Sequence, residues 1–145
     1  MGKRQPSKKK DVNPKFDRTP RKLTDPISFD DTNFKWRVHN NYIDYDHAEW
    51  GWGKVKIQEF FKELLHRLQD YETMTWYEVL HRDSCHDMEA SKLSPGAQQR
   101  LLQILPDIDT LHQLDMKQPC RLWGYRDRQV LYLIWHDPHH TVYPV

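Results

Sequence analysis

Cysteine is scarce in this sequence, and its two copies lie in no recognisable motif. Cys85 and Cys120 belong to no CxxC pair. Two isolated cysteines in an intracellular chain are usually reduced thiols rather than a disulfide. We therefore expect no disulfide, no structural zinc and no thioredoxin-like redox site.

Long apolar segments are also missing. The longest uninterrupted apolar run is VLYLIW, residues 130–135, whereas a membrane-spanning helix needs about 20 such residues. Lys3 and Arg4 are not followed by the apolar stretch of a secretory signal. The sequence therefore predicts a cytoplasmic protein with no membrane partner.

The usual catalytic motifs are absent as well. The chain has no G-x-S-x-G nucleophile turn, no H-E-x-x-H zinc motif and no glycine-rich phosphate loop. His136, His139 and His140 lie close together with Asp137, but Pro138 turns the chain between them and the spacing matches no established metal site. We expect neither a metal nor a cofactor.

Charge divides the chain into two parts. Residues 1–22 carry nine Lys or Arg and two Asp, a net +7, so the remaining residues carry −6 of the total of +1. The basic part contains three prolines and a single large apolar residue, Phe16, and cannot bury enough surface to fold. We predict a disordered basic arm over residues 1–24 and a single domain over residues 25–145.

The first half of this domain is predicted to form a strand followed by helices. FKWRVH, residues 34–39, alternates apolar and polar residues as a half-buried strand does, and PISF before it is a candidate shorter strand. Apolar residues recur every three or four positions over residues 57–71, which predicts an amphipathic helix. Thr75 with Glu78 forms a capping-box pattern for a second helix, and Ser94-Pro95 opens a third.

The second half reads as strands. We expect strands over residues 111–116, 120–126, 129–136 and 140–145, joined by short connections as an antiparallel meander. A four-residue loop is the safer expectation around Asp127-Arg128, because neither residue favours positive φ as glycine does. The predicted fold is α+β: one or two leading strands, then two to three helices packed on a C-terminal antiparallel meander sheet.

Three short motifs carry a resemblance to a known group. The closing segment RLWGYRDRQVLYLIWHDPHHTVYP, with ETMTWYEV and HDMEASKL upstream, resembles small uncharacterised bacterial proteins. They share an Arg-aromatic-Gly sequence, an apolar strand and W-x-Asp-Pro-x-His, and the match covers residues 26–144. In element order this group is similar to the RelE/ParE toxin superfamily. The resemblance implies an RNA-binding protein or metal-independent ribonuclease of a toxin–antitoxin system, with RNA, the ribosome or a cognate antitoxin as partner.

The closing segment contains residues suited to that chemistry. Cleavage by a 2′-hydroxyl needs an acid, a base and cations that stabilise the phosphorane-like transition state. We assign acid–base roles to His136, His139 and Tyr143. The residues expected to contact RNA are Arg121, Arg126 and Arg128 at phosphates and Trp123 and Tyr125 at bases.

Two alternatives remain open at the level of sequence. Each of these arginines and histidines also fits an ordinary surface position. Tryptophans more often lie in the hydrophobic core than on a surface where a base could stack. The whole domain also fits a non-enzymatic interaction module, because Trp, Tyr and Arg are favoured in protein interfaces.

Overall fold

The computed structural model describes residues 29–82 and 85–144. The predicted basic arm, residues 1–24, lies outside the described residues, as do residues 26–28 of the candidate strand PISF. The remainder folds around one mixed sheet, and the α+β class is confirmed.

Five strands form the sheet. They are β1 (Lys35–Arg37), β2 (His86–Glu89), β3 (Thr110–Asp115), β4 (Arg121–Asp127) and β5 (Val130–Asp137), in the order β1-β5-β4-β3-β2. Neighbours are antiparallel except β1 and β5, which run parallel with Lys35 opposite Val130 and Arg37 opposite Tyr132. The leading strand thus completes the meander on the side of β5.

Three helices begin where the sequence predicts them. Helix α1 covers residues 57–72 and includes a π-helical turn at Phe60–Leu64. Helix α2 (Trp76–Leu80) has the predicted capping box between Thr75 and Glu78. Helix α3 (Pro95–Ile104) begins after Ser94, whose hydroxyl accepts a hydrogen bond from the Ala97 amide. None of the helices in the described part combines the length and apolar character of a membrane span.

The sheet is covered on both faces. We call the face that contacts α1 and α2 the helix face; there Leu122, Leu131 and Leu133 pack in one buried cluster with Leu64 and Trp76. The other face, called the rear face, packs against α3 and the chain segment around Trp50. Its cluster consists mainly of Trp50, Ala97, Leu101, Leu111, Trp123, Ile134, Trp135 and Val142. Strand β5 therefore contributes buried side chains to both faces of the sheet.

The connection between β4 and β5 is shorter than predicted. Asp127 pairs with Val130, so only Arg128 and Gln129 form the loop, and the four-residue loop was wrong. Arg128 adopts the left-handed conformation with φ of 59°. Tight two-residue hairpins require such a positive φ, and the continuous pairing of the two strands stabilises it in a residue that seldom adopts it.

Residues 140–144 do not form the predicted fourth strand of the meander. The buried carboxylate of Asp137 accepts hydrogen bonds from the amides of Thr141 and Val142, at 2.9 and 3.0 Å, so this segment turns back on itself after β5. The sequence analysis also missed β2, which pairs with β3 and occupies the far edge of the sheet.

A β-bulge changes which side chains share a face along β5. Trp123 pairs with Trp135, whereas the next residue of β4, Gly124, pairs with Leu133, which leaves Ile134 as the extra residue. An inserted residue shifts the two-residue alternation of a strand by one. Consequently Ile134 and Trp135 both join the rear-face cluster, and His136 follows Leu133 on the helix face.

Candidate functional site

The structure separates the three arginines predicted to bind phosphate. Arg121 is 4% exposed, and its guanidinium lies 3.3 Å from the Asp115 carboxylate. Arg126 packs over the Trp76 ring at 4.0 Å and pairs with Asp30 at 2.8 Å. Arg128 is exposed at the hairpin and lies 3.4 Å from its neighbour Asp127. Arg121 and Arg126 therefore serve contacts within the fold, and Arg128 presents its charge to solvent.

The predicted catalytic residues are also dispersed. His136 is buried on the helix face, His139 is exposed beyond the end of β5, and Tyr143 is half-buried beside the rear-face cluster. Trp123, predicted to stack on a base, is fully buried, and its indole N–H lies 3.4 Å from the Asp137 carboxylate. These residues do not converge on one surface.

Tyr125, in contrast, belongs to a stack of rings on the rear face. It is the cross-strand neighbour of Tyr132, and Tyr42 lies against both, with ring centroids 5.5 Å from Tyr125 and 4.7 Å from Tyr132. His39 meets Tyr42 and Tyr132 edge-on at 6.1 and 6.4 Å. We call these four residues the tyrosine platform; its three tyrosines are half-buried and His39 is exposed.

A tight turn brings Tyr42 to the sheet. The amide of Tyr42 donates a 2.9 Å hydrogen bond to the carbonyl of His39. Two residues later, the Asp44 amide donates a 3.0 Å hydrogen bond to the carbonyl of Ile134 in β5. The Asp44 carboxylate is buried and accepts two 2.8 Å bonds from Arg100 of α3. Residues 39–44 are thereby fixed at both ends, and Tyr42 has a defined position.

Cationic side chains surround the platform on the side of β1. Lys35 and Arg37 are exposed, and the Arg37 guanidinium lies 5.9 Å from the centroid of the Tyr132 ring. Arg128 lies at the adjacent hairpin. Since the residues of β1 alternate, the half-buried Trp36 between them packs against the helix-face cluster instead. The two basic residues of β1 therefore face the same way as Tyr132.

An open cavity adjoins the platform on its other side. It has a volume of about 450 Å³ and lies between Tyr42 and Tyr125 on one hand and the end of α3 on the other. The residues that line it are Asn41, Tyr42, Ile104, Leu105, Pro106, Asp107, Ile108, Asp109 and Tyr125. Its size is that of ordinary small-molecule sites.

The surroundings of Tyr42 favour the protonated form of its hydroxyl, which an ordinary phenol already has at physiological pH. Burial raises the pKa of Tyr42, and the neighbouring Tyr125, Tyr132 and Asp127 raise it further. The phenol therefore stays neutral at physiological pH and can donate a hydrogen bond. A neutral ring also stacks on a base without bringing negative charge to it.

Sequence reasoning found Tyr125 and Arg128 and missed the other members of this surface. Tyr132 lies in a segment predicted to be a buried strand, His39 is the last residue of the predicted strand FKWRVH, and Tyr42 follows it in a turn with no apolar period. The available signal was the alternation of FKWRVH, which places Lys35 and Arg37 on one face. That alternation says nothing about the partner of the strand, so the proximity to Tyr132 required the structure.

A second polar location surrounds His136. Its side chain is 7% exposed, its Nε2 atom has no hydrogen-bond partner, and the Glu59 carboxylate lies 3.6 Å away. Burial lowers the pKa of His136, although Glu59 and Asp137 oppose that effect. Glu59 also lines a cleft of about 250 Å³ with Cys120, where burial raises the thiol pKa to about 12. Cys120 is therefore a protonated thiol and a poor nucleophile.

The described residues contain no set of side chains arranged to bind a metal ion. Within residues 29–82 and 85–144, no three His, Cys, Asp or Glu side chains are grouped so that they could hold an ion. His136, His139 and His140, which lie together in the sequence, point to different surroundings because His136 is buried beneath α1 and His139 is exposed.

Comparison with known proteins gives no independent assignment. The chain matches no protein-family model, no curated protein and no solved structure. None of these comparisons links the chain to the RelE/ParE superfamily.

Proposed function

We propose that the protein binds single-stranded RNA through the tyrosine platform. The observation that carries this proposal is the stack of Tyr42, Tyr125, Tyr132 and His39 beside exposed Lys35 and Arg37. Proteins that bind single strands stack bases on aromatic side chains and track the phosphates with cations. Both elements lie next to each other on the rear face.

The charge distribution sets the expected strength of binding. Phosphate contacts dominate affinity for nucleic acids and make it dependent on salt. Arg37 lies beside the Tyr132 ring, exposed Lys35 shares its face of β1, and Arg128 is exposed at the neighbouring hairpin next to Asp127, whereas residues 23–145 together carry −6. We therefore expect modest affinity at physiological salt and clear binding at low salt.

The test is fluorescence anisotropy with a labelled single-stranded RNA at low salt. Tyr125→Ala should weaken binding about 5- to 150-fold, the equivalent of the roughly 1–3 kcal/mol that stacking on one base contributes. Tyr125→Phe should keep most of the affinity, because the ring remains. Tyr77→Ala is the matched control: Tyr77 is 57% exposed on α2, at the helix face.

In the same assay, the loss of a phosphate contact can be recognised from the salt dependence of binding. Arg37→Ala should weaken binding and reduce the slope of log affinity against log salt concentration. The variant makes one phosphate contact fewer, so fewer counterions are released when RNA binds. Lys62→Ala, on the exposed side of α1, should leave the slope unchanged. If the wild-type protein does not bind RNA at low salt, or if Tyr125→Ala binds as well as wild type, the proposal is wrong.

RNA cleavage is a second candidate, favoured by the His136–Glu59 pair. A buried imidazole beside a carboxylate is suited to proton transfer, and this role follows the RelE-like reading. His139 and Tyr143, which that reading also uses, do not lie on the same surface as His136 and have no part in this candidate. Incubation of RNA with the purified protein, with and without ribosomes, tests it. His136→Ala should lower any cleavage rate about 10²- to 10⁴-fold, and the exposed His81→Ala should not.

The alternative is a protein-interaction module with no role for RNA. It would use the same exposed aromatic surface, since tyrosine and arginine are enriched in interfaces. The anisotropy experiment separates the two readings: an interaction module leaves RNA binding absent at low salt, and a protein partner would then bind through Tyr125 and Arg37.

A further inference from the structure

We infer that the cavity beside the tyrosine platform selects guanine among the four bases. This inference rests on the proposed RNA binding and specifies its ligand. The platform supplies Tyr42 and Tyr125 as one wall of the cavity, and Ile104, Leu105, Pro106 and Ile108 supply an apolar wall. Aromatic and apolar side chains lining one cavity suit a planar base.

The polar side chains of the cavity set its hydrogen-bonding character. They are Asn41, Asp107 and Asp109, all exposed to solvent. No Lys or Arg of residues 29–82 and 85–144 forms an ion pair with the Asp107 or Asp109 carboxylate, and the Thr110 hydroxyl donates a 3.4 Å hydrogen bond to Asp109. Both carboxylates are therefore available as acceptors for a ligand.

Guanine is the base whose edge complements these acceptors. Its Watson–Crick edge presents two adjacent donors, N1–H and the N2 amine, which an ionised carboxylate accepts as a pair. Adenine and cytosine present a ring nitrogen acceptor at the corresponding position, and uracil places its single N–H between two carbonyls. The Asn41 amide can donate to the remaining guanine acceptor, O6.

Charge also sets the side of the platform on which the phosphates of the RNA lie. A phosphate placed in the cavity would be repelled by Asp107 and Asp109, whereas Lys35, Arg37 and Arg128 attract it on the other side of the platform. The base therefore enters the cavity and its phosphates lie along β1. The two sides of the platform thus have separate roles in base recognition and backbone binding.

The experiment compares RNA oligomers that differ at a single position. In a labelled uridine oligomer, the central residue is uridine, guanosine, adenosine, cytidine or inosine, and affinity for the full-length protein is measured by anisotropy at low salt. The guanosine oligomer should bind about 5- to 100-fold more tightly than the adenosine oligomer, the range of discrimination expected from one bidentate contact. Inosine, which lacks the N2 amine, should lose much of this advantage.

Variants of the carboxylates identify the residues responsible. Asp107→Ala and Asp109→Ala should reduce the preference for guanosine while leaving affinity for the all-uridine oligomer unchanged or slightly higher. Asp70→Ala, an exposed carboxylate on α1, is the control and should keep the preference. Thermal unfolding of each variant confirms that it is folded.

The outcomes separate this inference from the proposed function. Equal binding of all five oligomers that still depends on Tyr125 overturns the guanine inference and supports the platform. A guanosine preference that survives in both Asp107→Ala and Asp109→Ala overturns the assignment to this cavity. Absence of binding to every oligomer overturns both proposals.

Discussion

Replacing Asp137 by alanine should destabilise the domain more than any change of an exposed carboxylate. Asp137 is fully buried at the end of β5. Its two oxygens accept hydrogen bonds from the amides of Thr141 and Val142, and the Trp123 indole N–H lies within 3.4 Å. Alanine removes every one of these acceptors at once.

The expected loss of stability follows from the two shortest hydrogen bonds of the Asp137 carboxylate. The amide bonds from Thr141 and Val142 measure 2.9 and 3.0 Å, and a hydrogen bond to a charged group contributes about 1.5–3 kcal/mol. Removal of the carboxylate also relieves the cost of burying a charge, which lowers the net loss. We expect Asp137→Ala to reduce the free energy of unfolding by about 2–4 kcal/mol and the melting temperature by about 10 °C.

Urea unfolding followed by circular dichroism measures this difference. Asp46→Ala serves as the control, because Asp46 is exposed and its loss should change the free energy of unfolding by less than about 0.5 kcal/mol. If Asp137→Ala unfolds within about 0.5 kcal/mol of the wild type, the carboxylate does not fix residues 138–142 as described.

Two further predictions concern acid stability and the core. Burial alone would raise the pKa of Asp44, but hydrogen bonds, first from Arg100 and then from the Trp135 indole, outweigh it and hold the pKa below 3.8. A lowered folded-state pKa gives stability that is complete above the unfolded-state pKa and is lost as pH falls through the folded value. The advantage of wild type over Asp44→Asn in urea unfolding should thus be constant from pH 7 to about 5 and shrink below about pH 4; an advantage that grows on acidification contradicts this. Leu64→Ala and Leu133→Ala should each cost about 2–5 kcal/mol, whereas Leu102→Ala, 68% exposed, should cost less than about 0.5 kcal/mol; equal losses at all three positions would show that the layer assignment is wrong.

Local features of the fold were predictable because they depend on neighbouring residues. The spacing of apolar residues over 57–71 and the Thr75–Glu78 pair specify helices through contacts within a few positions, and both are present. The strand predicted over 34–39, observed at Lys35–Arg37, and the three strands predicted between residues 111 and 136 were predictable for the same reason. The short β2 was missed because HDME offers too few residues to establish a period.

The arrangement of the candidate site was not predictable in the same way. Arg121, Arg126 and Arg128 are close in sequence, but strand alternation turns Arg126 to the helix face beside Trp76 and leaves Arg121 on the rear face. The bulge at Ile134 then moves His136 away from the face that uninterrupted alternation would give it. Tyr42 joins the platform through the anchor of Asp44 on Arg100, a contact that no local pattern encodes.

The parallel pairing of β1 with β5 also determines when during synthesis the tyrosine platform can exist. Lys35 and Arg37 leave the ribosome long before their partners Val130 and Tyr132, because chains are made from the N-terminus at about 5–20 residues per second. Until β5 has been made, Lys35 and Arg37 of β1 have no partner strand. A nascent chain that stalls before residue 130 therefore carries Lys35 and Arg37 without Tyr132, so the tyrosine platform can form only after β5 has been made.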